Sequence, residues 1–461
     1  VTLSGSSTPT LAVTGTSSIS GSNTGDQINI SGNAATATNV AYAGLTGTVP
    51  TWNQNTTGNA ATATSATTAT TAGTVTTAAQ PAITSVGTLT SLTSGAINGL
   101  TVSQMLGTGN TVVGNAAGTT LAAGADHNVL VGLNAGDAIS TGDRNIGIGK
   151  DALGLLSTTA DNIAIGYQAG DALTTGSTNV AIGSDALGAA TTAVDCVAVG
   201  HNALLLNTAS GNIAIGARAL DAVTTGTGNF AAGKDAASAI NTGTNNFALG
   251  TNALKIATTV NDNVAIGFNA LQAKTTSGNG NVAIGTSAMY RATTALTCTA
   301  VGYQSQFGSA AVTAQANSSL GYNSMVNITS GSYNAAFGAN TLYSLTTGTQ
   351  NTGCGTESLY ALTTTSNNTG VGQLALRYTT TGNGNVGIGI LAGAYKTSSN
   401  INHTTAGNYN VYIGSQARAS GDSVTKEVVI GGTDALGLGS NTTVIGTSTT
   451  LGNRIFGVAS T

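Results

Sequence analysis

The chain has 461 residues, of which 6% are charged and 4% aromatic, with 65 glycines, 3 prolines and a net charge of -4. A hydrophobic share of 40% with so little charge excludes a disordered polyelectrolyte. No basic run offers a footprint for nucleic acid or an anionic membrane, no apolar stretch approaches a transmembrane helix, and three cysteines are too few for a disulfide framework.

Residues 1–107 are rich in Thr, Ser, Ala and Gly, and the phrase Gly32-Asn33-Ala34-Ala35-Thr36-Ala37-Thr38 returns at Gly58 to Thr64. Short pieces such as Gln27-Ile28-Asn29-Ile30 read as strands with too few apolar residues for a private core, so a thin intertwined β shaft is expected. Trp52, the only tryptophan, is expected to anchor packing between subunits. The chain starts at Val1 rather than Met, which leaves room for a leader or anchor segment upstream.

Residues 108–389 carry a repeat: Asn145-Ile-Gly-Ile-Gly149, Asn162-Ile-Ala-Ile-Gly166, Asn179-Val-Ala-Ile-Gly183 and onward at a period of about 17. That is the signature of an all-β, parallel β-roll or β-solenoid of roughly 20 coils, which at one strand spacing per coil is about 95 Å long. Counting from the closing glycine, the residues three and one before it are large and apolar, and this alternation means a strand. The residue between them is small, as in Ala164, Ala181, Ala198, Ala214, Ala231, Ala248, Ala265 and Ala283. The expectation is that the large pair faces the coil interior and the small column is buried at the axis of a homotrimer.

After the glycine come a polar turn and a second apolar pair such as Ala152-Leu153, then a turn such as Thr174-Thr175-Gly176 with a position open to positive φ. Each coil therefore reads as strand, turn, strand, turn. The Asn column (Asn145, Asn162, Asn179, Asn212) can form a side-chain amide ladder from coil to coil. Cys196 and Cys298 occupy that column and Cys354 an inward apolar position, all as packing residues.

Chemistry has little to build on. His127, His201 and His403 are isolated from one another, so no catalytic grouping recurs, and no enzyme, cofactor or metal site is expected. Asp137, Asp171 and Asp221 share one exposed column and Asp151, Asp185 and Asp235 another, better read as solvated turn residues than as calcium ligands. The Thr-Thr pairs sit in a turn rather than in the Thr-x-Thr strand of a stacked ice-binding array.

A sharper signal is the column five residues after the glycine, which becomes Tyr290, Phe307, Val326, Tyr343, Tyr360 and Arg377 in successive coils. Such rings suit either a stabilising ladder or protomer contact, or the recognition of a glycan or protein. About eight extra residues then enlarge one coil in the segment 390–413, which should protrude and adds Tyr395, Lys396, His403 and Tyr409 as candidate receptor contacts. Beyond the enlarged coil the small column becomes Tyr412, Val429 and Val444, so the core should change there, and residues 414–461 form the distal coils and C-terminal end.

The stretch from Trp52 to Thr64, followed by Gln80-Pro-Ala-Ile-Thr-Ser-Val-Gly-Thr-Leu-Thr-Ser91, resembles shaft sequences of bacteriophage tail fibres. The Asn-Val-Ala-Ile-Gly repeat resembles the head of YadA-like trimeric autotransporter adhesins, a left-handed parallel β-roll. The resemblance implies a homotrimeric, non-enzymatic fibre of the virion, joined to other tail proteins at its N-terminal side and contacting a host surface glycan or protein. The charge balance and the lack of long apolar stretches, rather than the resemblance, lead to the expectation of no nucleic acid partner and no membrane insertion. The alternative the resemblance carries is a bacterial surface adhesin or extracellular fibril. The final stretch to Thr461 resembles the segment before a self-cleaving chaperone in phage fibres, which would put a maturation cut near Thr461.

Overall fold

The computed structural model describes residues 107–275, 278–395, 406–433 and 435–446, all within one unit, Gly87–Thr461. The β shaft, Trp52, Lys396, His403 and Thr461 lie outside the described residues. The described chain is an all-β parallel solenoid with no helix. Twenty strands of three residues each run from β1 (Thr111–Val113) to β20 (Thr443–Ile445). Each pairs in parallel with the next in sequence, so chain order is also the order in the ladder.

Register is strict. Ile146 sits beside Ile163 and Ile163 beside Val180, while Gly147, Ala164 and Ala181 stack in their own column. The coil is 17 residues between β3 (Ile146–Ile148) and β4 (Ile163–Ile165). The ladder also continues across the enlarged coil, where Val386 pairs with Val411.

A strand of three residues stops because the glycine after it turns the chain. Gly149 has φ +135°, a region closed to L side chains, and a Cβ there would lie 2.2 Å from the Gly166 carbonyl oxygen of the next coil. Gly176 is required by space alone: its φ is not positive, against the sequence expectation, but a Cβ would lie 2.3 Å from the Ala193 carbonyl oxygen.

The second apolar segment is not a strand. Ala152 and Leu153 are consecutive and both fully buried, which an extended strand forbids because neighbours point to opposite faces. The chain solves this with left-handed residues on either side of Ala152, Asp151 and Leu153, both at φ 56°. The wall is a run of turns, still tied to the next coil by Leu153 N–H donating to the Ala169 carbonyl at 3.0 Å.

The inside and outside of the strand are reversed relative to the sequence expectation. Ala164, Ala181, Ala198, Ala214, Ala231, Ala248, Ala265 and Ala283 are each at most 1% exposed within one chain. They face the coil interior and cannot line an axis between chains. The large residues point outward, with Ile163 half-buried and Ile165 37% exposed.

The reason is the width of the coil. Leucines from the opposite wall claim the interior, and a Cβ on Gly387 in the small column would lie 2.7 Å from Leu376 Cγ. Where the column carries Leu130, the opposite wall carries glycine. Leu130 fills the space over Gly136, whose Cβ would meet Leu130 Cδ2 at 2.6 Å.

Candidate functional site

The outward strand positions form the first candidate surface. Ile148, Ile165, Ile182, Ile215, Leu249, Leu320, Phe337 and Ile388 are exposed at equivalent positions, one coil above another. The column immediately after the glycine widens this stripe with exposed Tyr167, Phe268, Tyr303 and Tyr322. The sequence reading missed this second column, although its signal, an aromatic directly after the closing glycine, was available. Tyr303 and Tyr322 stack at 5.4 Å, and Phe230 and Phe247 stack within the stripe at 4.7 Å. Cys354, expected inside, is exposed on the same stripe, whereas Cys196 and Cys298 are buried in the Asn column as expected. A continuous apolar stripe of this length is unusual for a surface that meets only water.

The second candidate surface carries the rings five residues after the glycine. Tyr290 stacks on Phe307 at 5.1 Å with the planes 5° apart, and Tyr343 on Tyr360 at 4.8 Å and 9°. All four are half-buried, Val326 between the pairs is buried, and Arg291 lies 5.7 Å from the Phe307 ring. The Arg377 guanidinium lies between Tyr360 and Tyr378, 5.4 and 4.8 Å from the ring centres, and pairs with Glu357 at 2.7 Å. Tyr395 lies in the neighbouring column, its ring 5.6 Å from Tyr378 and tilted by 49°. Burial and a hydrogen bond with Tyr378 raise its hydroxyl pKa. Tyr409 is not part of this group: it sits five residues before a closing glycine, 63% exposed, with its ring over Gly384.

Between the surfaces the coil is held by two side-chain ladders. Asn162 donates its backbone N–H to Asn145 Oδ1 at 3.0 Å and its amide to the same oxygen at 3.2 Å, and the amide also reaches the Gly176 carbonyl at 3.1 Å. Each buried Asn thus satisfies a backbone donor and a carbonyl that the thin coil hides from water. A second ladder, which the sequence reading missed, runs the other way. Asp126 N–H donates to Asp143 Oδ1 at 2.7 Å, Thr244 to Asn261 Oδ1 at 2.8 Å and Ser366 to Asn383 Oδ1 at 2.9 Å. Its signal is an Asp, Asn or Ser recurring six residues before the glycine.

The ladders show two repairs. Cys196 replaces an Asn, and Asn207 fills the gap by accepting from the Asn212 amide at 3.1 Å and donating to Cys196 Sγ at 3.2 Å. Glu427 ends the Asn column, buried, with Tyr412 Oη donating at 3.3 Å, Ser420 N–H at 3.2 Å and Gly439 N–H at 2.8 Å. Lys274 is also fully buried, donating to the Ala295 carbonyl, and burial lowers its pKa to about 8.

For chemistry, no group of three or more His, Cys, Asp or Glu placed to hold a metal ion occurs among the described residues. His127 and His201 stand in different coils. Of the aspartates, Asp137, Asp151 and Asp171 share a shallow groove near the first coils with Thr119, Thr120 and Leu155. Burial and neighbouring carboxylates raise the pKa of Asp171, whose Oδ1 occupies the space left by Gly154. Among the described residues no helix is long and apolar enough to cross a membrane. No protein-family model and no curated protein matches this chain.

Proposed function

We propose that the chain is a structural, non-enzymatic fibre protein that acts as a homotrimer, with the outward apolar stripe rather than the alanine column at the threefold axis. The observation that carries this reading is the stripe itself: the last strand position is apolar and incompletely buried in every described coil, and the first is apolar in most, with Thr or Ser at 111, 299, 318, 352, 369 and 443. Covering what remains exposed of one isoleucine is worth roughly 0.5–1 kcal/mol, and repetition over many coils makes the association strong. A small-residue column placed inside makes the coil thin and stiff, and three coils side by side would give a rod able to hold a binding site at a distance.

The setting we favour is the tail of a bacteriophage, with the N-terminal side joined to other virion proteins and the aromatic surface toward the host. Support comes from the resemblance of the Trp52 to Ser91 stretch to phage shaft sequences and from the solenoid that follows it. Threefold repetition would convert weak single contacts into firm attachment where geometry allows simultaneous binding. A bacterial surface adhesin of the same fold is the second reading, favoured by the Asn-Val-Ala-Ile-Gly repeat. The native mass in solution tests the assembly: three times 44.6 kDa is expected, and a particle of one chain mass at micromolar concentration would sink the trimer.

A further inference from the structure

We infer that the two flanks of the apolar stripe are complementary halves of one joint: the residue after the closing glycine in one protomer faces the first strand residue of the same coil in the next. The inference rests on the trimer reading above and assigns it residue pairs, a polarity and a register.

The stripe is three columns wide. The last strand position is in the middle, flanked by the first strand position and by the residue after the glycine. Positions two apart on a strand are separated by about 6.6 Å, and the flanks lie on either side of the middle column, so a residue on one flank does not fill the space of the other within its own chain. A symmetry axis along the rod turns each protomer without changing its height. It therefore sets middle column beside middle column, and one flank of a protomer against the opposite flank of its neighbour, coil for coil.

The side chains fit that joint in size. Where the first position is Phe230, the middle is Ala232. Where the ring moves to the other flank as Tyr303 and Tyr322, the first position shrinks to Thr299 and Ser318; where it moves to the middle as Phe337, both flanks are alanine, Ala335 and Ala339. Between Phe230 and Ala339 no coil carries two aromatic rings on the stripe.

They also fit in polarity. Tyr303 and Tyr322 are exposed, and the joint sets them against the hydroxyl residues Thr299 and Ser318, whereas exposed Phe268, which has no hydroxyl, meets Val264. Among the described residues none of those four hydroxyls has a hydrogen-bond partner in its own chain. A tyrosine hydroxyl taken out of water needs a partner, and the neighbour's Thr or Ser supplies it. Tyr167, set against Ile163, is the exception, and its ring has Lys150 of its own chain 5.3 Å away. A twofold axis across the rod would set each column against itself at unequal heights and match none of these pairs.

The experiment links thiols across the joint in the full chain carrying Cys354→Ser, which removes the exposed thiol of the stripe; its native mass is measured first. Chains with Thr299→Cys and chains with Tyr303→Cys are produced separately and together, then treated with a short bifunctional maleimide. We expect covalent two-chain products from the mixture and none from either alone. Phe268→Cys chains mixed with Ser318→Cys chains, whose thiols lie three coils apart, should stay unlinked. As a second readout, Thr299→Tyr and Tyr303→Thr should each lower the thermal midpoint of the trimer, and the two together should regain most of the loss. A trimer that links in either single protein, links equally in the out-of-level mixture, or stays unlinked in the matched mixture while the two exchanges add their losses overturns the inference and leaves the trimer reading intact. A monomeric parent overturns both.

Discussion

Tyr412 occupies the space that Gly393 leaves open: a Cβ on Gly393 would lie 2.6 Å from the Tyr412 ring. Among the described residues the tyrosine is the largest fully buried side chain, and it stands in the column that is alanine or glycine through most of the coils. Its hydroxyl donates to Glu427, and burial together with that carboxylate holds its pKa well above the usual tyrosine range. One large residue and one glycine across the coil thus replace the usual pairing of alanine with leucine.

Both partners should therefore be sensitive, and not independently. We expect Tyr412→Ala to destabilise the last coils by about 3–5 kcal/mol through the cavity it opens. Gly393→Ala should cost about 1–3 kcal/mol through overpacking and its φ of +66°. The double variant should lose less than the sum, since alanine at 412 frees the space that alanine at 393 needs. Hydrogen exchange over residues 406–446 measures this locally, which suits a solenoid in which each coil contacts only its neighbours. Strict additivity would contradict the shared space.

The inversion of the strand faces gives a sharp mutational contrast. Replacing Ile165, Ile182 and Ile215 together by Glu should preserve the circular dichroism of the coil and reduce the native mass, because these side chains point outward. Ala181→Glu should destabilise the chain itself by several kcal/mol, because it places an unpaired carboxylate in the interior. Light scattering and dichroism on the two variants decide the matter, and the opposite pair of outcomes would restore the alanine column as the axis.

Lys274 makes the fold sensitive to alkaline pH with a definite sign. Its pKa is about 8 in the folded chain against about 10.4 when unfolded. Between those values the unfolded state binds more protons, so this residue's contribution to stability rises with pH across that window and is unfavourable below it. The total swing is about 3 kcal/mol. Lys274→Met should be more stable than wild type at pH 7, with the difference shrinking by pH 10. Urea midpoints of both proteins measure it, and the buried Cys298 thiol, common to both, largely cancels. A difference independent of pH would mean that Lys274 is solvated.

The repair at Cys196 should be reversible by design. Cys196→Asn combined with Asn207→Leu restores the continuous Asn column and an apolar wall, and should stabilise the chain by about 1–2 kcal/mol. Asn207→Leu alone should destabilise it, because the Asn212 amide loses its acceptor. Thermal unfolding of the three proteins checks both signs, and equal losses in the single and double variants would show that Asn207 does not compensate for Cys196.

Much of this architecture could be read from the residues alone. The 17-residue period, the closing glycines and the Asn column specify a parallel ladder, because stacking one coil on the next is the only way such short apolar segments can share a core. Alternation along the strand also established two faces. It could not establish which face is inside, because a period of two is symmetric between them. The tertiary structure decided that through the opposite wall: left-handed residues turn both Ala152 and Leu153 inward, the leucine fills the width of the coil, and only a small residue fits across from it. Likewise the aromatic column was visible as a list of positions. That Tyr343 and Tyr360 spend their faces on each other, while Tyr378 and Tyr395 tilt apart around Arg377, depends on ring orientation and on contacts between coils, which sequence spacing does not contain.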